Sequence, residues 1–195
     1  VLCMLLSGIL GTTLRLISCY SDGFLGNLIM RIAVVQLSFP SMFIALVVLA
    51  IMGQGVDKLL IALVLCGWVT YARTVRGVTL SVKKMDYISA CKTIGLPKFL
   101  IVLRHVMPNV ITSVVVLATI QTGNFILTEA TLSFLGVGVP VTQPSLGLLV
   151  KNGFDVLFSG LWWASVLPGL YIMLLVFGIN LLGDFLRDEL NPRLK

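Results

Sequence analysis

Long apolar runs separated by short polar breaks dominate the chain. A helix that crosses a bilayer needs about 20 mostly apolar residues. Five segments meet or approach that length: Val1 to Ile17, Ile32 to Met52, Lys58 to about Arg73, Val106 to about Leu127, and Leu161 to about Phe185. In the third, Trp68 and Tyr71 extend a short apolar stretch toward an interface, where amphipathic rings settle. Gly8, Gly11 and Arg15 interrupt the first. Pro40 and Pro168 lie inside the second and fifth. Each removes a backbone hydrogen bond and is expected to kink its helix, as bundle packing or as a flexing point in a pathway. Gly160 and Ala164 form a small-xxx-small pair suited to close helix approach.

The connections differ in character. Residues 18 to 31 read as a short polar loop with Asp22, Asn27 and Arg31, and residues 53 to 57 as a tight turn. Residues 128 to 160 are long, rich in Gly and Pro, and almost free of charge. Within them, 132 to 147 reads as a re-entrant or surface-lying segment. Seven of the fourteen Lys and Arg residues fall between Arg73 and Arg104, opposed there only by Asp86. Short Lys/Arg-rich loops stay on the inner side of a membrane. Placing this stretch inside also puts the 18 to 31 loop and the tail with Arg187, Arg193 and Lys195 inside. The 53 to 57 turn and the 128 to 160 segment then fall outside, with the N-terminus outside.

Composition sharpens this picture. Hydrophobic residues make up 58% of the 195 and charged residues 11%, against roughly a quarter charged in soluble domains. Mean hydropathy is +1.06. One transmembrane domain over 1 to 195 follows, all-α and polytopic, with about five spans and a lipid bilayer as its solvent. The net charge of +6 belongs to inner loops and does not point to nucleic acid. Cys3, Cys19, Cys66 and Cys91 form no CxxC pair and read as packing residues. No metal-ligand spacing and no cofactor motif is present. The chain opens apolar, without an initiator Met or a signal-peptide pattern, and reads as entered partway through.

The basic stretch is itself organised. In KKMDYISACKTIGLPKFLIVLRHVMPN (83 to 109), Tyr87, Ile88, Cys91 and Ile94 recur at helical spacing on one face, with Asp86, Ser89, Lys92 and Thr93 on the other. That predicts a short amphipathic helix. Gly95 suits its stop, Pro97 the first turn of a second helix over Lys98 to Arg104, and Pro108 the start of the fourth span. A basic helix–turn–helix between two spans has the shape of a docking element; a loop held on anionic lipid has the same pattern.

This segment resembles the cytoplasmic coupling loop of ATP-binding-cassette importer permeases: Glu-Ala-Ala, three residues, Gly, then a hydrophobic stretch ending in Pro. Here Ser89-Ala90-Cys91 is followed by Gly95 and Pro108, with Ser89 in place of Glu and Cys91 in place of the second Ala. His105 and Met107 stand where aliphatic residues are common. The stretches RIAVVQLSFPSMFIALVVLAIMG (31 to 53), GWVTYARTVRG (67 to 77), LTEATLSFLGVGVP (127 to 140) and LLGDFLRDELNPRLK (181 to 195) extend the resemblance over nearly the whole chain. They are similar to the dipeptide/oligopeptide/nickel permease group, and the last is similar to its DppC/OppC-like half.

The resemblance implies a type I importer permease fold, with a coupling loop at about 77 to 105 and an external segment at about 128 to 160. It also implies a span upstream of Val1. The implied machine has a second homologous permease, two cytoplasmic ATP-binding subunits and an external solute-binding protein, in a bacterial inner membrane with the C-terminus cytoplasmic. It imports peptides, glutathione-like compounds or nickel chelates. Tyr87, Ser89, Ala90, Cys91, Gly95 and Pro108 would form the coupling site. No GxxxxGK[ST] occurs, so the chain is not expected to be an enzyme and ATP hydrolysis would belong to a partner.

Glu129 has two readings: a functional carboxylate at the external mouth, or a helix-end carboxylate in interfacial water. His105, the only histidine, reads as an incidental loop residue. Two rival functions have recognisable sequence requirements. An intramembrane hydrolase would need HExxH, a Ser/His pair or an aspartate partner for Asp184, and none is evident. A secondary transporter not coupled to an ATPase would show relay charges in its spans and an internal repeat.

Overall fold

The computed structural model describes residues 1–20 and 24–190, with side chains over 1–16 and 28–190. Cys19, Asp22, Asn27, Arg193 and Lys195 lie outside the described side chains. Everything regular among the described residues is helical. In chain order these are α1 (Leu2–Tyr20), α2 (Phe24–Leu37), α3 (Ser41–Met52), α4 (Val56–Lys83), α5 (Asp86–Thr93), α6 (Lys98–Ile101), a π turn (Val102–Val106), α7 (Met107–Phe134), α8 (Leu146–Asp155), a 3-10 turn (Leu157–Ser159) and α9 (Trp163–Glu189). Three are long and apolar enough to cross a membrane: α4, α9 and the continuous Lys98–Phe134. The pair Leu28–Leu37 and Ser41–Met52 makes a fourth if taken as one bent span, and Leu2–Leu16 is a shorter apolar helix.

The second apolar segment is broken rather than kinked. Its halves meet at 97°. Pro40 caps α3 with extended backbone (φ −56°, ψ 129°) and forces the preceding residue out of the helical region. The bend is tied to α4: Gln36 Nε2 donates to the Leu65 carbonyl at 2.5 Å and accepts on Oε1 from Trp68 Nε1 at 3.0 Å. Of the expected polar loop at 18 to 31, the residues up to Tyr20 belong to α1 and those from Phe24 onward to α2, while residues 21–23 lie outside the described residues. Asn27 and Arg31 are single polar positions in an apolar run, too few to stop a helix.

α4 is the core of the bundle. It buries Leu59, Leu63, Gly67, Tyr71, Val75, Thr79 and Val82, a 3–4 repeat that carries the helix ten residues past Arg73. α1 lies against it through glycine: a methyl on Gly11 would stand 2.8 Å from Tyr71 Cβ and collide with the Trp68 carbonyl. α8 approaches its neighbours in the same manner. A methyl on Gly147 would meet the Ala130 backbone, and one on Gly153 the Ala164 backbone. Ala164 is therefore a small-residue contact, but its partner is Gly153. Gly160 instead turns the chain at φ +88° and has no neighbour within 4 Å. Pro168 cannot donate to the Ala164 carbonyl, the group against which Gly153 packs. α9 continues through that proline.

Candidate functional site

The basic hairpin is built by local rules. α5 starts after extended Met85 with Asp86 in its first turn and Lys92 in its last, matching the helix dipole at both ends. It stops in a Schellman motif. Gly95 adopts φ +82°, its N–H donates to the Lys92 carbonyl at 3.0 Å, and the Leu96 N–H reaches back to Cys91 at 3.1 Å. Pro97 caps the next helix in extended conformation.

That next helix does not end near Arg104. Lys98–Phe134 runs unbroken for 37 residues, roughly 55 Å at 1.5 Å per residue. The π turn is where Pro108 is accommodated. Pro108 has no N–H for the Arg104 carbonyl, and the ladder widens just before it, with the Met107 N–H bonding to the Val102 carbonyl. Pro108 thus belongs to the shaft of the long helix rather than to the hairpin surface.

The apolar face expected on α5 divides. Ile88 (0% exposed) joins Val75, Val82, Ile101, Val106 and Val110 in one buried cluster, with Cys91 packed against it. Tyr87 (43% exposed) and Ile94 (79% exposed) point away, and Ala90 between them is exposed too. Tyr87, Ala90 and Ile94 form a narrow apolar strip at i, i+3 and i+7 that the described chain leaves uncovered. Ser89 is exposed beside it, its carbonyl holding Thr93 Oγ1 at 3.1 Å.

His105 is not incidental. Its Nε2 lies 3.7 Å from Cys91 Sγ, and its ring sits 6.0 Å from that of Tyr87. It fastens α5 to the long helix. Its spacing from Cys91, 14 residues across a turn, offered no periodic signal in the sequence.

At the opposite end of the long helix, Glu129 is hydrogen-bonded to Ser133. Ser133 Oγ donates to Glu129 Oε1 at 2.8 Å and accepts from the Val139 N–H at 3.2 Å. Ser133 is 1% exposed, so the carboxylate fixes the buried hydroxyl that folds the 135 to 140 turn onto α7. Gln54 Nε2 donates to the Gly136 carbonyl at 2.6 Å, bringing the 53 to 55 turn to the same end. Ser133→Ala leaves the Val139 N–H without its partner, a cost of about 1–3 kcal/mol. We expect a lower thermal unfolding midpoint in detergent; an unchanged midpoint would deny the bridge any structural weight.

Among the described residues no group of three His, Cys, Asp or Glu could hold a metal ion.

Three helices long and apolar enough to cross a membrane, with a basic hairpin between two of them, define a multi-pass membrane protein. The chain belongs to the binding-protein-dependent transport system inner membrane component family, whose pattern matches residues 5–195. It is 32% identical over 195 residues to the dipeptide transport system permease protein DppC of Bacillus subtilis (strain 168), covering 100% of this chain and 61% of that protein. It is 37% identical over 193 residues to the glutathione transport system permease protein GsiD of Pectobacterium atrosepticum, covering 98% and 64%. The GsiD protein of Escherichia coli O157:H7 is 36% identical over 187 residues, covering 95% and 61%. The chain thus spans 61–64% of the length of these curated relatives.

Proposed function

We propose that this chain is a permease subunit of an ATP-binding-cassette importer. With a second homologous permease it forms a path for small peptides across the bacterial inner membrane. Two cytoplasmic ATP-binding subunits supply the energy, and an external solute-binding protein delivers the cargo. The observation that carries this reading is the uncovered Tyr87–Ala90–Ile94 strip on a basic hairpin rigidly joined to a helix of 37 residues. Relatives named for dipeptide and glutathione transport support the substrate class.

In this reading residues 1–195 are one permease domain. The hairpin within about 77–105 faces the cytosol with the C-terminus, and the 128–160 segment with Glu129 faces outward. The ATPase grips the strip, with Ala90 small enough to admit a close surface. Closure of the ATPases pushes α5. Ile88, Cys91 and His105 pass the displacement to the long helix, which is far longer than the ~30 Å hydrocarbon core. Its far end carries Glu129 and Ser133, so motion at the hairpin reaches the outer turn. ATP drives the change because it binds one arrangement of the assembly more tightly than the other.

The test is co-purification. The membrane-extracted full-length permease is expected to bring down a subunit with a phosphate-binding loop. Ile94→Asp places a charge on the strip while leaving the buried cluster intact. It is expected to cut the recovered ATPase by about tenfold or more, the effect of 1.4 kcal/mol or greater, with membrane insertion unchanged. Equal recovery from the variant would remove the strip from the interface. Recovery of no ATPase from the parent would favour a transporter that works alone.

A further inference from the structure

α4 and α7 cross the apolar region side by side, and between them and the first turn of α3 lies a recess of about 380 Å³. Its polar lining is Ser41, Cys66, Thr70, Gln121, Asn124 and Thr128. None of these carries a charge. Thr70 stands midway along Val56–Lys83 and Gln121 midway along Met107–Phe134, so the recess sits near mid-depth of both helices. Gln121, Asn124 and Thr128 follow at i, i+3 and i+7 on one face of α7, and Glu129 and Ser133 of the outer turn come next along that helix.

The groups in the recess have unused hydrogen-bonding capacity. Gln121 is 7% exposed, and Asn124 Nδ2 donates to its Oε1 at 2.9 Å. Within the described residues Gln121 Nε2 has no acceptor and Asn124 Oδ1 no donor. Thr128 Oγ1 and Cys66 Sγ donate to the backbone carbonyls of Asn124 (2.7 Å) and Ser41 (3.3 Å), which leaves their lone pairs available. Primary amides left unpaired at this depth are costly against lipid tails. The recess therefore faces something that hydrogen-bonds.

We propose that it is a contact point for a peptide in transit, at which the Gln121 and Asn124 amides bond the backbone amides of the cargo. This inference rests on the transport reading. A neutral donor beside a neutral acceptor complements an amide bond, which offers the same pair in reverse. It has no charge with which to hold an anion, and among the described residues no ligand set for a cation. Because every peptide bond presents the same groups, such a site admits cargo regardless of side chain. Selection by side chain would then fall elsewhere in the assembly.

Cys66, a native thiol in the lining, reports occupancy directly. In the full-length assembled transporter, Cys3, Cys19 and Cys91 are replaced by alanine, the partner chains are made cysteine-free, and a small hydrophilic methanethiosulfonate is applied. Cys66 is expected to react. Dialanine or trialanine at ten times its dissociation constant is expected to slow the reaction about tenfold, and maltose is expected to leave it unchanged. Gln121→Leu should keep Cys66 reactive and remove the protection, and Asn124→Leu serves if that chain does not insert. A thiol unreactive with and without ATP and vanadate would show a packed contact and overturn the proposal. So would unaltered reactivity with peptide, or equal protection by maltose. Labelled dialanine uptake in the same vesicles separates the two readings. ATP-driven uptake without protection overturns the recess alone. Protection without ATP-driven uptake upholds the recess and overturns the transport reading.

Discussion

Gly11→Leu is expected to lower the amount of folded, detergent-extractable protein by about tenfold or more. The reason is the nature of the obstacle. A side chain at Gly11 meets the Trp68 carbonyl, the Tyr71 Cβ and the Ala72 nitrogen, all of them backbone or backbone-proximal atoms of α4 that cannot rotate aside. Gly67, on the same pair of helices, is more forgiving: its nearest obstacle is the Phe125 ring, a side chain with freedom to turn. Relief at Gly11 requires moving α1 off α4, which uncovers Tyr71 and Ala72, both now at 0% exposure. Overpacking ordinarily costs about 1–3 kcal/mol, and 1.4 kcal/mol is a factor of ten. Gly178→Leu is the matched control, since nothing lies within 4 Å of that position in α9. The measurement is the monodisperse fraction after extraction. A Gly11→Leu chain recovered like the control would show that α1 is not held by this contact.

Which features could be read from the sequence follows from how local their causes are. The hairpin is legible because each part is a short-range rule: a helical spacing of apolar and polar positions, a glycine at the stop, and a proline opening the next helix. The broad division into apolar segments was legible because it depends on composition. What escaped depends on tertiary partners. α4 reaches Lys83 instead of ending near Arg73 because Val75 and Val82 find a cluster to enter; the 3–4 spacing of Val75, Thr79 and Val82 is visible, but Arg73 and Arg76 look like a membrane boundary. Pro40 announced a disturbance, while the 97° turn needs the Gln36 clamp on α4 as well. Gly160 and Ala164 had the right spacing for a helix contact, yet Ala164 packs on Gly153 from a different helix. At the candidate site, the expected face containing Tyr87, Ile88, Cys91 and Ile94 is too wide to point in one direction. Its division into a buried edge and an exposed strip is set by Ile101 and Val106 across the turn.

The exposed strip makes Gly95 the most informative position in the hairpin. Gly95→Val is expected to abolish ATPase co-purification while the permease still inserts, and Gly95→Asn is expected to retain a substantial part of it. No neighbour lies within 4 Å of the place a Cβ would occupy, so the glycine is not kept by crowding inside this chain. Its requirement is conformational. At φ +82° a side chain costs about 1–2 kcal/mol, more for a β-branched residue and less for asparagine, which tolerates the left-handed region. Valine can escape that cost only by giving up the bonds from the Gly95 and Leu96 N–H groups to Lys92 and Cys91. The turn then unwinds from the α5 end, and Ile94, itself 79% exposed, moves with it. The bundle is untouched, because Ile88 anchors the other end of α5 in the buried cluster. Two outcomes separate cause from coincidence. If asparagine and valine release the ATPase equally, the partner requires the bare glycine surface and close backbone approach rather than the bend. If neither releases it, the hairpin is not the seat of the motor, and the uncovered strip must face lipid or another chain.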